Sequence, residues 1–150
     1  MIKMNRKVEY ALMSLRYMAD KAPSELTSAR ELVERFNVPF DTVSKVLQVL
    51  ATKEVLDSHK GIHGGYLLKT DLAGVTFLDL VEWLEDRNFS SICNPSGTPC
   101  SLYSTCNIIS PVEALNHKIL DFLKELTLKE LLLDPRFIQS KQSIAAGEQL

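Results

Sequence analysis

The sequence predicts a mainly α-helical protein: a winged helix-turn-helix with a small β-hairpin wing and a long dimerisation helix in the C-terminal half. Three observations support this fold class. Two short helical patterns are separated by a tight break, a glycine-rich hairpin pattern follows them directly, and apolar residues recur at heptad spacing over residues 112–126. The chain has 150 residues, of which 45% are apolar and 24% charged, as expected for a globular protein of this length.

The first three helices are predicted from periodicity and from their ends. Apolar residues at helical spacing predict a helix over residues 8–19. Ser28-x-x-Glu31 is a capping box that begins a second helix. The Asn37-Val-Pro39 segment ends it, because the residue before proline resists the α conformation. A third helix, the recognition helix, is expected from about Asp41, with its buried face formed by Val43, Val46, Leu47 and Leu50.

A wing is predicted directly after the recognition helix. Val55 and Leu56 supply a first strand and residues 66–68 a second, while the turn between them contains Gly61, Gly64 and Gly65. These glycines do not indicate a nucleotide-binding loop, because neither the Lys-Ser/Thr pair nor a helix follows them.

The C-terminal half is predicted to contain three more helices. Thr76-x-x-Asp79 begins one that runs through Leu84, and Thr127-x-x-Glu130 begins a short one that Asp134-Pro135 stops. Between them, residues 110–113 combine an N-cap serine, a proline and a glutamate, which predicts the start of a helix about 24 Å long. Its narrow apolar seam favours self-association in a dimer over an internal contact. The seam consists of Val112, Leu115, Ile119, Phe122 and Leu126.

These elements divide the chain into four parts. Residues 1–86 form the winged-helix DNA-binding domain and residues 87–110 the cysteine loop that binds a cluster. Residues 111–134 form the dimerisation helix and the short following helix, and residues 135–150 a flexible tail.

The three cysteines of the chain, Cys93, Cys100 and Cys106, lie within fourteen residues. An odd number cannot pair fully within one chain, and the prolines and glycine between the first two favour a loop. Thiolates suit zinc or iron–sulfur clusters. The gaps of six and five residues are wider than those of structural zinc sites, which favours a cluster. The alternatives are a zinc-stabilised protein-binding module, and a cluster-free regulator that senses thiol oxidation or a small effector.

Charge and hydropathy indicate the compartment and the partner. The net charge is −2, but residues 1–70 carry 11 basic against 8 acidic side chains, whereas residues 71–150 carry 6 against 11. A basic N-terminal part suits polyanion binding. No apolar run is long enough to cross a membrane and no signal peptide is evident, so we expect a cytoplasmic protein with no membrane partner, in which thiols stay reduced.

The predicted DNA contacts lie at the start of the recognition helix and at the wing tip. Polar side chains there can reach base edges in the major groove, and lysines can meet phosphates. Lys60, beside Gly61, is placed to enter a minor groove, and wing histidines suit phosphate contact. No spacing typical of a catalytic triad or a carboxylate pair is present, so we expect no enzyme. The predicted contacts are Phe40, Asp41, Thr42, Ser44, Lys45, Lys60, Gly61 and His63.

This combination resembles the Rrf2 family, which includes an iron–sulfur cluster regulator and a nitric-oxide-sensing repressor. The resemblance covers about residues 1–133 and rests on residues 5–12, the recognition-helix segment, the Gly-Gly-Tyr-Leu-Leu wing at 64–68, and the cysteine loop before a long helix. It implies a homodimeric repressor that binds a palindromic operator in double-stranded DNA. It also implies that loss or modification of a bound cluster, by redox change, nitric oxide or iron–sulfur status, alters DNA affinity.

By position, the three cysteines match the cluster ligands of the family. The first gap is one residue longer than in familiar members, and Ile109 stands where the iron–sulfur regulator has a ligand histidine. The resemblance to the nitric-oxide sensor instead implies a three-cysteine site that is completed by a carboxylate near the N-terminus of the partner subunit. The matching residue here is Glu9. This comparison makes Glu9 the expected fourth ligand, and an acidic ligand favours a [4Fe-4S] over a [2Fe-2S] cluster.

Overall fold

A computed structural model describes residues 4–85 and 100–138. Residues 87–99 of the predicted cysteine loop, which include Cys93, and residues 139–150 of the predicted tail lie outside the described residues. The predicted fold class is confirmed, because the described chain is mainly helical and its sheet is a two-stranded antiparallel hairpin. No helix in these two ranges is long and apolar enough to span a bilayer.

Helix α1 (Arg6–Ala19) begins after Asn5, whose side chain accepts a hydrogen bond of 3.0 Å from the backbone amide of Lys7. Such a cap satisfies one of the amides that have no partner at a helix start. Its inner face is buried against helix α3. This face consists of Val8, Ala11, Ser14, Leu15 and Met18.

The helix-turn-helix consists of α2 (Ala29–Phe36) and α3 (Phe40–Thr52). The predicted capping box is present, with the amide of Glu31 3.1 Å from the Ser28 hydroxyl. Asn37 ends α2 in the left-handed region (φ 52°), which asparagine tolerates better than most residues. The face of α3 predicted to be buried is buried.

The wing consists of β1 (Leu56–His59) and β2 (Gly65–Leu68), paired antiparallel from Leu56↔Leu68 to His59↔Gly65. Tyr66 of β2 also exchanges two backbone hydrogen bonds with the buried Thr27, at 3.0 and 2.9 Å. A Cβ at Gly65 would lie 2.8 Å from the Thr27 carbonyl oxygen. Only glycine therefore lets the wing approach the start of α2 this closely.

Three helices follow a short 3₁₀ turn at Leu72–Gly74: α4 (Phe77–Leu84), α5 (Ile109–Glu125) and α6 (Leu128–Leu133). The predicted caps of α4 and α6 are present. The predicted cap of α5 is wrong, because the helix begins at Ile109 and places Ser110 inside its first turn. Pro111, which has no backbone N–H, is tolerated there because the amides of the first turn have no hydrogen-bond partner within the helix.

One hydrophobic core joins the winged helix to the C-terminal end. Leu128 of α6 is fully buried in the same core cluster as Leu15 and Leu47, and α6 contacts both α1 and the 3₁₀ turn. Helix α5 differs, since none of its seventeen residues is buried. The division of the chain at 86, 110 and 134 stays a prediction, but α6 packs with the winged helix.

Candidate nucleic-acid interface and cysteine site

The predicted base-reading residues at the start of α3 lie outside its buried face. Asp41 and Lys45 are exposed, Phe40 is 51% exposed, and Thr42 and Ser44 are half-buried. The exposed ring of Phe40 lies at the N-terminal end of the helix that is predicted to enter the major groove. Asp41 lies in the first turn, where a carboxylate interacts favourably with the helix dipole.

The wing tip is a fully solvent-accessible turn. Lys60, Gly61 and His63 are exposed, and Gly61 has φ 115°, a conformation that other residues rarely adopt. Between them Ile62 is 99% exposed. Ile62 is not among the predicted contacts, although an apolar residue among polar turn residues is a readable signal in the sequence.

A partly buried ion pair links the end of α1 to the helix-turn-helix. The Lys21 ammonium, whose side chain is 11% exposed, donates to the Glu31 carboxylate at 2.6 Å, and the Tyr17 hydroxyl donates to the same oxygen at 2.7 Å. Desolvation acts against both charges, yet the hydrogen bonds prevail, so the pKa of Glu31 is lowered and that of Lys21 is raised. This pair fixes α2 relative to α1.

Two of the three predicted sulfur ligands fall in the described chain. Cys100 is exposed, Cys106 is half-buried, and both are free thiols. Backbone bonds from the amide of Tyr103 to the Cys100 carbonyl (3.1 Å) and from Thr105 to Leu102 (3.1 Å) fold the residues between them into turns. Cys106 stands three residues before α5, so a ligand bound to it acts close to the start of that helix.

Glu9, the predicted fourth ligand, lies in the first turn of α1. Its carboxylate is 34% exposed and bonds to the Arg6 guanidinium at 2.7 Å. Across residues 4–85 and 100–138 no group of three or more histidine, cysteine or carboxylate side chains could hold a metal ion. Cys93 lies outside these ranges. The predicted site would also combine the cysteines of one chain with Glu9 of another, so a single chain does not bring these ligands together.

The predicted seam of α5 is largely exposed. Leu115 and Phe122 are 59% and 57% exposed, and Val112 and Ile119 are half-buried. Leu126 differs, because it follows the helix end and is only 8% exposed. Burial within its own chain leaves Leu126 little surface for a partner, so the exposed seam spans residues 112–122.

Comparison with known proteins identifies the class to which this arrangement belongs. A model of the Rrf2 family, described as an iron-dependent transcriptional regulator, matches residues 4–134. The chain belongs to the Rrf2 family. The match covers the helix-turn-helix, the wing, both described cysteines and α5. The resemblance read from the sequence is thus confirmed, and so is the prediction that the protein is a DNA-binding transcriptional regulator and not an enzyme.

Curated relatives are regulators of similar length. An Aquifex aeolicus (strain VF5) protein named as an HTH-type transcriptional regulator is 29% identical over 127 residues, which cover 83% of this chain and 88% of the relative. The HTH-type transcriptional regulator NsrR of Shouchella clausii (strain KSM-K16) is 22% identical over 142 residues, with 94% and 95% covered.

Solved structures share the Rrf2 fold with this chain. CymR, the global cysteine regulator of B. subtilis, superposes with a TM-score of 0.67 at 20% identity, covering 88% of this chain and 97% of CymR. IscR of T. potens gives a TM-score of 0.63 at 19% identity, covering 95% and 96%. At these identities the likeness concerns the fold alone.

Proposed function

We propose that this Rrf2-family protein is a cytoplasmic homodimeric repressor whose affinity for a palindromic operator depends on an iron–sulfur cluster bound by Cys93, Cys100 and Cys106. The observation that carries the proposal is the position of the two described thiols. Both are free, and they lie in a turn directly before α5, the helix with an exposed apolar seam. A change at these sulfurs is therefore placed to act on the dimer.

The residues present fit such a cluster. Cys100 and Cys106 offer soft sulfur donors that no disulfide occupies, and the exposure of Cys100 leaves room for an inorganic group. When bound, the cluster would supply iron that reacts with oxygen or nitric oxide. The chain's own residues hold it, set its access to solvent and connect it to α5.

Glu9 is the proposed fourth ligand, donated by the partner subunit. A carboxylate is a hard ligand and binds cluster iron less firmly than a thiolate does. Glu9 stands in the first turn of α1, which packs on the recognition helix α3. Release of Glu9 would therefore change a contact of the DNA-binding domain itself. The carboxylic ligand favours a [4Fe-4S] over a [2Fe-2S] cluster.

Dimerisation through α5 is supported by the exposure of its seam. Leu115 and Phe122 stand seven residues apart on one side of the helix, and each leaves more than half of its surface in solvent. Seven residues are two helical turns, so both side chains can face one antiparallel or crossing partner helix. A second copy of α5 presents the same apolar side and covers both residues by symmetry.

The test is cluster content in protein purified without oxygen. Iron, acid-labile sulfide and visible absorbance are measured for the wild type and for Cys93→Ser, Cys100→Ser and Cys106→Ser. We expect cluster absorbance in the wild type and its loss in each variant. Ser104→Ala, a neutral change within the same turn, is the matched control and keeps the cluster.

The alternative mechanisms predict different results in the same samples. Zinc without sulfide in the wild type would support the zinc-stabilised protein-binding module. Absence of any metal, with mass increases at the thiols after peroxide treatment, would support sensing by thiol oxidation. Both results would contradict the cluster while leaving the Rrf2 fold and its DNA binding intact.

A further inference from the structure

A cluster of three lysines and the single tryptophan of the chain flanks the recognition helix. Lys7 of α1, Lys45 of α3 and Trp83 of α4 line a shallow cleft of about 140 Å³ together with apolar side chains of α3 and α4. Lys53, at the end of α3, places its ammonium 5.9 Å from the centre of the Trp83 ring. Three helices thus bring Lys7, Lys45 and Trp83 together, and Lys53 lies beside them next to the Trp83 ring. These four residues are called the lysine–tryptophan cleft.

The cleft carries three lysines that have no ion-pair partner among the described residues. Within the part of the chain that the structure describes, no carboxylate forms an ion pair with Lys7, Lys45 or Lys53. Other lysines there do have such partners, since Lys21 pairs with Glu31 and Lys69 with Glu54. Three cations gathered without a counter-ion form an anion-binding surface.

Trp83 adds an aromatic ring to this surface. Its ring is half-buried, and the Lys53 ammonium lies within cation–π distance of it. An indole N–H can only donate a hydrogen bond. Phosphate oxygens accept such bonds and attract lysine ammonium groups, so the chemistry of the cleft suits an anionic oxygen such as that of a phosphodiester.

We propose that the lysine–tryptophan cleft binds a phosphate of the DNA backbone beside the bases that α3 reads. Lys45 belongs both to the cleft and to the predicted recognition surface, so the two surfaces are continuous. The inference rests on the proposed orientation of α3 on DNA and adds Lys7, Lys53 and Trp83 to the interface. Contacts to phosphates position the protein and carry little sequence information.

The test measures the affinity of the full-length protein for a fluorescently labelled mixed-sequence duplex over a series of salt concentrations. Each neutralised phosphate contributes about 0.9 to the slope of log affinity against log salt concentration. The double variant Lys7→Gln, Lys53→Gln removes two lysines from each subunit of a dimer. It is expected to lower that slope by about 2 to 4. Lys124→Gln with Lys129→Gln, a charge-matched change at two exposed positions of α5 and α6, leaves the slope unchanged.

Two further readouts separate the outcomes. Lys53→Arg keeps the charge and is expected to keep the wild-type slope, and DNA is expected to change Trp83 emission in the wild type but not in the double glutamine variant. A double variant that binds with the wild-type slope overturns the cleft alone. A wild type that binds no duplex overturns both the cleft and the proposed DNA-binding mode.

Discussion

Phe77 donates its backbone N–H to the carbonyl oxygen of Leu126 across 2.8 Å, and this bond joins the start of α4 to the end of α5. The amide of Leu128 returns a bond of 2.8 Å to Val75, which completes an isolated bridge between Thr76 and Thr127. The segment with the cysteines runs between these two points. Both of its flanking helices are therefore anchored at one place on the winged helix.

Leu128 holds this anchor in the core, so Leu128→Ala should destabilise the whole domain. A fully buried leucine loses its transfer free energy and leaves a cavity, which together cost about 2–5 kcal/mol. Chemical denaturation of the full chain measures the change in the free energy of unfolding. Lys129→Ala, next to it on the surface, is the control and should change little. A loss below about 0.5 kcal/mol for Leu128→Ala would show that α6 does not belong to the core.

The ion pair of Lys21 with Glu31 should make stability depend on pH. The pKa of Glu31 lies below its ordinary value of 4.5, so its contribution is present above pH 4.5 and is lost as the pH falls through the lowered pKa. The pKa of Lys21 lies above 10.5, so its contribution is present below pH 10.5 and is lost as the pH rises through the raised pKa.

Lys21→Met tests this pair. The variant loses hydrogen bonds to Glu31 and to the Leu26 carbonyl and leaves a partly buried carboxylate without its cation. We expect a loss of about 1–3 kcal/mol in the free energy of unfolding at pH 7 and a shallower decline below pH 4.5. Lys124→Met, at an exposed position of α5 off the seam, should show the same acid profile as the wild type. Parallel acid profiles for Lys21→Met and the wild type would show that the pair does not control acid stability.

The exposed seam of α5 should control the oligomeric state. Leu115→Glu with Phe122→Glu places like charges where two helices would meet, so we expect a monomer by analytical ultracentrifugation. His117→Glu, an exposed position off the seam on the same helix, should stay dimeric. Circular dichroism checks that both variants keep their helices. A double variant that still sediments as a dimer would place the interface elsewhere.

Glu9 and Arg6 allow the ligand role of the carboxylate to be separated from its ion pair. Glu9→Ala removes both, whereas Arg6→Ala removes the same 2.7 Å pair and keeps the carboxylate. We expect Glu9→Ala to change the cluster absorbance and speed its loss in air, while Arg6→Ala behaves as the wild type. Identical spectra and decay for Glu9→Ala and the wild type would exclude the ligand.

Local signals in the sequence were sufficient for most of the fold. The capping residues Ser28 and Thr76 placed α2 and α4 correctly because a side-chain cap acts within one turn. The start of α5 was misplaced, since nothing local distinguishes an N-cap serine from one in the first turn. Burial of Leu128 in the core of the winged helix depends on contacts far apart in sequence, which periodicity does not encode.

For the candidate site, the sequence indicated chemistry better than geometry. Cysteine spacing predicted soft ligands, but Lys7 and Trp83 are separated by most of the domain, and only the packing of α1, α3 and α4 brings them together with Lys45. Glu9 was found by resemblance, because a ligand supplied by a second subunit leaves no spacing signal in one chain.

The most direct test is the operator affinity of one anaerobic preparation before and after its cluster is removed. Operator duplexes are first selected from a random library by the protein itself, and affinity is measured by fluorescence anisotropy. We expect tight, sequence-specific binding with the cluster bound and a loss of at least about tenfold, or 1.4 kcal/mol, after nitric oxide or air removes it. The Cys106→Ser variant should behave like the cluster-free protein throughout. Equal affinity with and without the cluster would contradict the account.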